Sequence, residues 1–373
     1  LRPAEAGADV AASFAARTAP RVVGVDTGWG QQAGLLRSAF HGACAWLWPD
    51  AAGLLPGMVT GDRTSIPADL DTAMKRVGLT HLTAVSGANC TLILGGILYL
   101  ARSLRAPRWV AATAAAAGLS GFVGVVGPDP SVLRAALMGL IGVLALFTGR
   151  PKRIPALLAV AIVALLVLDP WLATNYAFVL SVLATVGVVL LGRRCSSWLG
   201  RWLPGWLAQA IAVPLAAQLF CAPVIVLLQP QLTLYAVPAN VAAAPVVVLV
   251  TLVGTLGLPA LLLPWAAPAF VAVAGAGAVW VGWVARFFSG LPGAAIPWPE
   301  GGAGAALMAV LSVVSIVLLW GAVNRRRLSV FVVAVRARLP GRLQPLAGVP
   351  AAAALAAIVG ALLAWALGET GLL

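Results

Sequence analysis

Apolar runs recur from Leu82 to the C-terminal end of the chain, and each is long enough, at about 20 residues, to cross the hydrocarbon core of a bilayer. Within that core, only α-helices and closed β-barrels give every backbone N–H and C=O a hydrogen-bond partner. The runs are continuous and rich in Ala, Leu, Val and Gly, without the alternation of apolar and polar residues that is typical of barrel strands. The sequence therefore predicts an all-α, polytopic membrane protein.

The composition supports this class of protein. Of the 373 residues, 61% are hydrophobic and 9% are charged, whereas about a quarter of the residues in a soluble domain are charged. The runs predict about ten transmembrane helices, at residues 82–101, 109–127, 131–148, 154–169, 174–192, 207–228, 236–263, 265–285, 303–323 and 346–367. Prolines inside the sixth and seventh of these spans predict helices broken within the membrane, although simple kinks are an equally good interpretation. These prolines are Pro214, Pro223, Pro238, Pro245 and Pro259.

The part of the chain before these spans is more polar. Its first residues predict an irregular, extracytoplasmic lead-in, and interfacial amphipathic helices follow, with Trp46 and Trp48 as candidate membrane anchors. Residues 61–79 predict a short helix with acidic residues near its start and basic residues near its end. The chain is thus expected to divide into the lead-in, these interfacial helices, a transmembrane core, and a last transmembrane helix with an outward C-terminus, at residues 1–30, 31–80, 81–335 and 336–373.

The distribution of Lys and Arg predicts the orientation. Through the sixth span, basic residues occupy every second connection, and the connections between these contain none. The basic positions are Arg102, Arg105, Arg108, Arg150, Lys152, Arg153, Arg193, Arg194 and Arg201. Because basic loops face the cytoplasm, we expect both the N-terminus and, with ten spans, the C-terminus to lie outside. The net charge of +13 is explained by this bias or by an anionic partner such as nucleic acid.

Cysteine and histidine are too sparse for most metal chemistry. The four cysteines have no C-x-x-C spacing and the chain has two histidines, so we predict no structural zinc site and no cofactor. The sequence also lacks a Walker-type phosphate-binding motif, which indicates that any transport would need a separate source of energy. The chain opens with Leu-Arg-Pro, without a signal peptide, and is expected to be a piece of a longer protein.

Polar residues cluster at the start of the first predicted span, in THLTAVSGANCTLILGGILYL (residues 80–100). On a helix with about 100° per residue, His81, Ser86 and Asn89 would fall within an arc of roughly 140°. Polar groups this deep are costly unless they bond to other helices or face water. Two interpretations follow, hydrogen bonding between helices or the lining of a substrate path. Three glycines of the stretch would let a neighbouring backbone come close: Gly87, Gly95 and Gly96.

Further polar residues occur in the later spans. Arg134 lies in the first turn of the span that begins near Ser131. Because a cation at a helix N-terminus opposes the helix dipole, we expect Arg134 to reach outward to water, to pair with Asp129 or Asp169, or to bind an anion. The other candidate residues of a path are Asp169, Asn175, Ser181 and Asn240.

Four motifs in this order resemble the competence domain of the ComEC family. They are GDR…IPADL…GLTHLTAVSGAN, PSVLRAALM…GR, LLVLDPWL…FVLSVLAT, and Asn240 followed by Pro245, and the resemblance covers about residues 30–330. The first motif is similar to the family's H-L-x-A-x-S-G-x-H. Asn89 stands where the family usually has a second His, so proton chemistry by that His is not expected in this chain.

The resemblance implies a channel, not an enzyme, that passes single-stranded DNA across the bacterial cytoplasmic (inner) membrane during natural transformation. The residues expected to line its path are His81, Ser86, Gly87, Asn89, Arg134, Asp169, Asn175, Ser181 and Asn240, and those at its opening are Asp62 and Arg63. Relatives often carry an extracellular OB-fold domain and a nuclease domain, and the H-x-H-x-D-H motif of that nuclease is absent from this sequence. We therefore expect the partners to be membrane lipid, single-stranded DNA, accessory extracellular DNA-binding and nuclease domains or proteins, and a cytoplasmic motor ATPase or helicase.

Two rival classes fit parts of the sequence. A small-solute permease would use broken helices and polar groups near the membrane midplane equally well. An intramembrane serine hydrolase would use Ser86 with His81. That second interpretation is weak, because the two side chains would diverge by roughly 140° on one helix, too far for a base to contact its nucleophile.

Overall fold

The computed structural model describes residues 2–3, 12–13, 28–85, 87–127, 129–147 and 154–323, and these are almost entirely helical. The α-helices are α1 (Trp29–Cys44), α2 (Pro49–Thr60), α3 (Ala68–Arg76), α4 (Gly87–Ser103), α5 (Arg108–Val126), α6 (Pro130–Phe147), α7 (Ile154–Leu168), α8 (Tyr176–Gly187), α9 (Arg193–Leu199), α10 (Gly205–Leu228), α11 (Ala236–Ala260), α12 (Ala267–Ser289) and α13 (Gly301–Val323). Short 3₁₀ turns lie at Thr80–Thr83 and Pro170–Thr174, and a π-helical turn at Val188–Gly192 joins α8 to α9. Two-residue strands form two antiparallel pairs, β1 (Arg2–Pro3) with β2 (Ala12–Ser13) and β3 (Gln231–Leu232) with β4 (Ile296–Pro297).

Six helical segments in the described part of the chain are long and apolar enough to cross a membrane by length and composition. They are Arg108–Val126, Tyr176–Leu199, Gly205–Leu228, Ala236–Ala260, Ala267–Ser289 and Gly301–Gly321. The prediction of an all-α membrane protein is confirmed, but the prediction of about ten spans is not. Three predicted spans coincide with the shorter helices α4, α6 and α7, and the last, 346–367, lies outside the described residues. Hydrophobicity alone cannot separate a full span from a shorter apolar helix, because both bury apolar surface.

The first predicted span, residues 82–101, does not form one helix. The chain makes a 3₁₀ turn at Thr80–Thr83 and α4 begins only at Gly87. Close packing against α2 explains this, because a Cβ on Gly57 would lie 2.8 Å from the carbonyl oxygen of Thr83. The Thr83 hydroxyl in turn donates to the carbonyl of Thr80 at 2.8 Å. The prediction that His81 and Asn89 share one helical face is therefore wrong, since His81 precedes the break and Asn89 follows it.

The helices with internal prolines are continuous. Helix α10 contains Pro214 and Pro223, and α11 contains Pro245 and Pro259. The expectation of broken helices is thus wrong, and the kink interpretation fits better. A proline removes one backbone hydrogen bond, and neighbouring helices and local adjustments make that loss tolerable inside a bundle.

Contacts divide the chain into two compact units. The first contains the described parts of Leu1–Asp71, Thr80–Ser181 and Pro245–Trp283. In it α1 packs on α2 and on α5, and α4, α5 and α6 pack against one another. Their shared core is formed by Val85, Cys90, Leu119, Phe122, Val126, Val132, Ala135 and Ala136. Helix α2 was not anticipated from the sequence, and its residues from Gly53 to Thr60 are buried.

The second unit contains the described parts of Thr72–Leu79, Val182–Ala244 and Val284–Leu373. Helices α10 and α13 form its main packing, and α9 joins them through a cluster of Leu191, Cys195, Ala212 and Ala216. The predicted short helix is present as α3, with acidic residues in its first turn and basic residues in its last. Gln231 donates to the carbonyl of Lys75 at 3.1 Å, so β3 lies against the end of α3.

Large aromatic side chains remain on the surface of each unit. Trp46, Trp48, Trp109, Trp171, Trp202, Trp206 and Trp265 are all well exposed. Several of them lie at or just beyond helix ends, where membrane proteins place tryptophan at the level of the lipid headgroups. This surface fits a membrane protein and would be unusual on a soluble one.

Candidate functional site

Polar groups from α2, α6 and α8 meet the segment where α4 begins, inside the first unit. We call the set Val85, Gly87, Asn89, Ser131, Arg134 and Ser181 the polar junction. Asn89 is 4% exposed, and its Nδ2 donates to the carbonyl of Met58 in α2 at 3.2 Å. The Ser131 hydroxyl lies 3.2 Å from the carbonyl oxygen of Val85. These contacts hold the break before α4 against the last turns of α2 and the start of α6.

Arg134 is the charged residue of the polar junction. It is 7% exposed, so it does not reach outward to water as one expectation held. Its Nε donates to the hydroxyl of Ser181 in α8 at 3.0 Å, and its Nη1 lies 3.4 Å from the Met138 sulfur. No carboxylate among the described residues lies within ion-pair distance of this guanidinium.

The expected pairing of Arg134 with Asp129 or Asp169 is wrong, because both carboxylates are used locally. Asp129 accepts hydrogen bonds from the backbone N–H of Ser131 at 2.9 Å and is 2.7 Å from its hydroxyl. Asp169 accepts from the backbone N–H of Trp171 at 3.1 Å and caps the 3₁₀ turn that follows. Short polar side chains commonly satisfy nearby backbone donors in this way.

Gly87 lets α4 and α6 approach closely. A Cβ at this position would lie 3.0 Å from Cβ of Ala135 and 3.4 Å from Nη2 of Arg134. The expectation of close approach fails for Gly95 and Gly96, where a Cβ would meet nothing within 4 Å in the described part of the chain. The difference arises because Gly95 and Gly96 lie on an exposed side of α4, whereas Leu94 beside them packs toward Gly139 of α6.

The two residues predicted at the opening of a path lie after α2. Asp62 Oδ2 is 3.0 Å from Nδ1 of His41, and its Oδ1 accepts from the hydroxyl and the backbone N–H of Thr64 at 2.6 and 3.0 Å. The hydroxyl of Thr64, then its N–H and the His41 ring, lower the pKa of the Asp62 carboxyl from its ordinary value, against a smaller opposing effect of burial. Arg63 is exposed.

The other predicted residues lie in turns, at a helix end or in the second unit. His81 is exposed in the 3₁₀ turn. Asn175 accepts from the backbone N–H groups of Ala177 and Phe178, and so caps α8. Asn240 belongs to the second unit and donates to the carbonyl of Ala236 in its own helix. Ser86 lies outside the described residues.

Sequence reasoning missed the partners that tie the polar junction together. The acceptors for Asn89 and Ser131 are the backbone carbonyls of Met58 and Val85. A backbone acceptor leaves no signal in residue identity, so only the packing of α2 and α6 could reveal it. Among the described residues, no group of three His, Cys, Asp or Glu is arranged to hold a metal ion.

Long apolar helices, together with the exposed tryptophans, define a polytopic helical membrane protein. Residues 58–323 match the family model described as Competence protein, and this match includes the polar junction and parts of both units. The chain belongs to this family, that of the ComEC competence proteins.

A curated relative supports the same assignment. Over 197 residues the chain is 27% identical to ComE operon protein 3 of Bacillus subtilis (strain 168). The aligned part is 53% of this chain and 25% of that protein, so the chain spans only about a quarter of the length of this relative. No solved structure matches the chain.

Proposed function

We propose that this chain forms the transmembrane path by which single-stranded DNA crosses the bacterial cytoplasmic membrane during competence. Family membership and the apolar helices both fit a role in DNA uptake. The observation that carries the proposal is the polar junction, in which Arg134 and Asn89 are buried among otherwise apolar helices. Ionisable and polar groups at such positions are expensive and are typical of substrate paths.

Charge favours an anionic substrate over a neutral or cationic one. The chain carries 24 Lys and Arg against 11 Asp and Glu. The buried charge of the polar junction is positive, and no carboxylate of the described chain neutralises it. A polyanion such as DNA would gain from both features.

The rest of the machinery is proposed from the same family. The chain acts as a channel and not as an enzyme, with both termini outside the cytoplasmic membrane. Accessory extracellular domains or proteins bind and cut the incoming duplex, and a cytoplasmic motor ATPase or helicase pulls the strand.

The rival functions lose support. The permease interpretation used two features, broken helices and polar groups near the membrane midplane, and it loses the first because α10 and α11 run through their prolines. The serine hydrolase interpretation needs His81 next to a buried nucleophile, and His81 is exposed. Neither rival requires a buried arginine that lacks a carboxylate partner among the described residues.

Passage of DNA across a planar bilayer tests the proposal, with an applied voltage in place of the motor. Wild-type chain should pass an oligothymidylate, detected by amplification on the far side. Asn89→Leu and Ser86→Leu should reduce passage per folded molecule, because Leu is tolerated in spanning helices but fills a polar path. Thr113→Leu is the matched control, since Thr113 is exposed on α5 and bonds only within its own helix.

The alternative, that these residues only hold helices together, predicts a different result. Each lost bond would then lower the free energy of unfolding by about 0.6 kcal/mol, and passage per folded molecule would stay normal. Absence of passage through the wild-type chain would contradict the proposed function itself.

A further inference from the structure

The guanidinium of Arg134 has donors that the protein does not use. Of its five N–H groups, one reaches the hydroxyl of Ser181 and one points to the Met138 sulfur, a weak acceptor. Nη2 has no hydrogen-bond partner among the described residues. A buried cation without a counter-charge is strongly unfavourable, so this arrangement calls for an anion that is not part of the described chain.

The unused side of the guanidinium faces the beginning of α4. Nη2 lies 3.4 Å from the position that a Cβ of Gly87 would occupy, and Gly87 is the first residue of that 17-residue helix. The first N–H groups of a helix have no partners within the helix, and the helix dipole adds partial positive charge there. The guanidinium of Arg134, from α6, and the first N–H groups of α4 thus point toward the same small volume.

We propose that Arg134 and the start of α4 form a binding subsite for one backbone phosphodiester of the incoming DNA strand. The inference rests on the proposed function and assigns the ligand chemistry of one point along the path. A phosphodiester has one negative charge and two free oxygens. These oxygens can accept hydrogen bonds from one guanidinium and from the helix N–H groups beside it. Because Gly87 has no side chain, nothing of its own stands between Nη2 of Arg134 and the backbone at the start of α4.

Ser181 acts as a positioning residue in this subsite. Its hydroxyl accepts from Nε at 3.0 Å and so fixes the plane of the guanidinium, leaving Nη2 for the anion. A single cation also suits movement of the strand past the subsite. A site on a conduction path must bind each phosphate strongly enough to admit it and weakly enough to release it.

The salt dependence of oligothymidylate binding tests the subsite, with the whole chain purified in a phosphate-free neutral detergent. Each phosphate contact to a single strand contributes about 0.7 to the slope of log K against log salt concentration. Arg134→Gln should therefore reduce the magnitude of this slope by about 0.7. Arg134→Lys should keep the wild-type slope and bind more weakly, because it keeps the charge and loses the fork.

Glycine variants provide a test that does not remove the buried charge. Gly87→Ala should weaken binding without changing the slope, since its Cβ would intrude on the space beside Nη2. Gly95→Ala is the matched control in the same helix, where a Cβ meets nothing within 4 Å in the described chain, and should bind as the wild type does. Thermal unfolding without DNA identifies any variant that fails to fold. If Arg134→Gln does not fold, the DNA affinity of Gly87→Ala tests the subsite in its place.

The outcomes separate this inference from the proposed function. If the wild type passes and binds DNA but Arg134→Gln and Gly87→Ala leave the affinity and slope unchanged, the subsite is wrong and the proposed function stands. If phosphatidylglycerol raises the unfolding temperature of the wild type but not of Arg134→Gln, and the DNA slope does not change, the occupant is a lipid headgroup and the inference is overturned. If the wild type neither binds DNA nor passes it, the proposed function itself is wrong, whatever the variants do.

Discussion

Polar side chains in an apolar helical chain need hydrogen-bond partners, and at the scale of single residues those partners distinguish the candidate site residues of this protein. Asn89 finds a backbone carbonyl in α2, and Asp169 and Asn175 find backbone N–H groups at the turns they cap. Each of these has a structural use in addition to any contact with substrate. Among the described residues, the side-chain contacts of Arg134 are a hydroxyl and a sulfur, so it is the candidate whose burial the described part of the chain explains least.

Asp62 should make the stability of the chain sensitive to acid. Its pKa is lowered in the folded protein by Thr64 and His41, so its contribution is present above its unfolded pKa, about 3.9, and is lost as the pH falls through the lower folded value. Asp62→Asn should therefore flatten the decline of the unfolding temperature below about pH 4. The measurement is thermal unfolding against pH, followed by tryptophan fluorescence. Glu300→Gln, at an exposed position, should follow the wild-type curve; parallel curves for Asp62→Asn and wild type would refute the prediction.

A side chain at position 61 should destabilise the protein because of the backbone conformation of Gly61. It ends α2 with φ of +82°, in the left-handed region, which costs a residue with a Cβ about 1–2 kcal/mol. Gly61→Ala should lower the free energy of unfolding by that amount, and Gly61→Asn by less. Gly34→Ala, in the middle of α1 with open space around it, should raise stability by about 0.5–1 kcal/mol. Equal effects of the two alanine variants would show that Gly61 is not strained.

At the scale of elements, close helix contacts at glycine decide where the helices cross. Gly187 ends α8 just before the π-helical turn, within the second unit. A Cβ there would lie 2.6 Å from the carbonyl oxygen of Ala216 and 2.8 Å from the ring of Phe220, both in α10. The π-helical turn follows this contact directly, and such turns are frequent at functional sites.

Gly187→Ala should separate α8 from α10. The added methyl group meets a backbone oxygen that cannot move alone, and overpacking of this kind costs about 1–3 kcal/mol. Gly121→Ala in α5, where a Cβ meets nothing within 4 Å of the described chain, should instead stabilise by up to about 1 kcal/mol. Unfolding by sodium dodecyl sulfate measures both. A stabilised Gly187→Ala variant would contradict the close contact of the two helices.

At the scale of the whole molecule, orientation in the membrane is open to a direct test. We expect single cysteines at Gly127 and Thr174 to react with an impermeant maleimide in intact cells, and cysteines at Ser103 and Lys152 to be protected, because basic loops face the cytoplasm. The native cysteines, Cys44, Cys90, Cys195 and Cys221, are buried, and burial raises the pKa of the Cys44 thiol to about 12, so their background should be low. Reversed labelling would overturn the proposed orientation and the outward accessory domains.

The amino-acid sequence by itself determined the class of protein, because continuous apolar runs of bilayer length leave few alternatives to helices. It also identified the family, since the motifs around residues 80–89 and 131–134 are local patterns of residue identity. Helix α3 could be predicted in the same way, from the proline directly before it and from its charges.

Only the tertiary structure decided which polar residues meet. The 3₁₀ turn before α4 depends on the close packing of α2 at Gly57. The approach of Arg134 to Gly87 and Ser181 joins three helices that are far apart along the chain. Hydropathy and helical periodicity describe one segment at a time, whereas a buried charge acquires its partners from whichever segments pack against it.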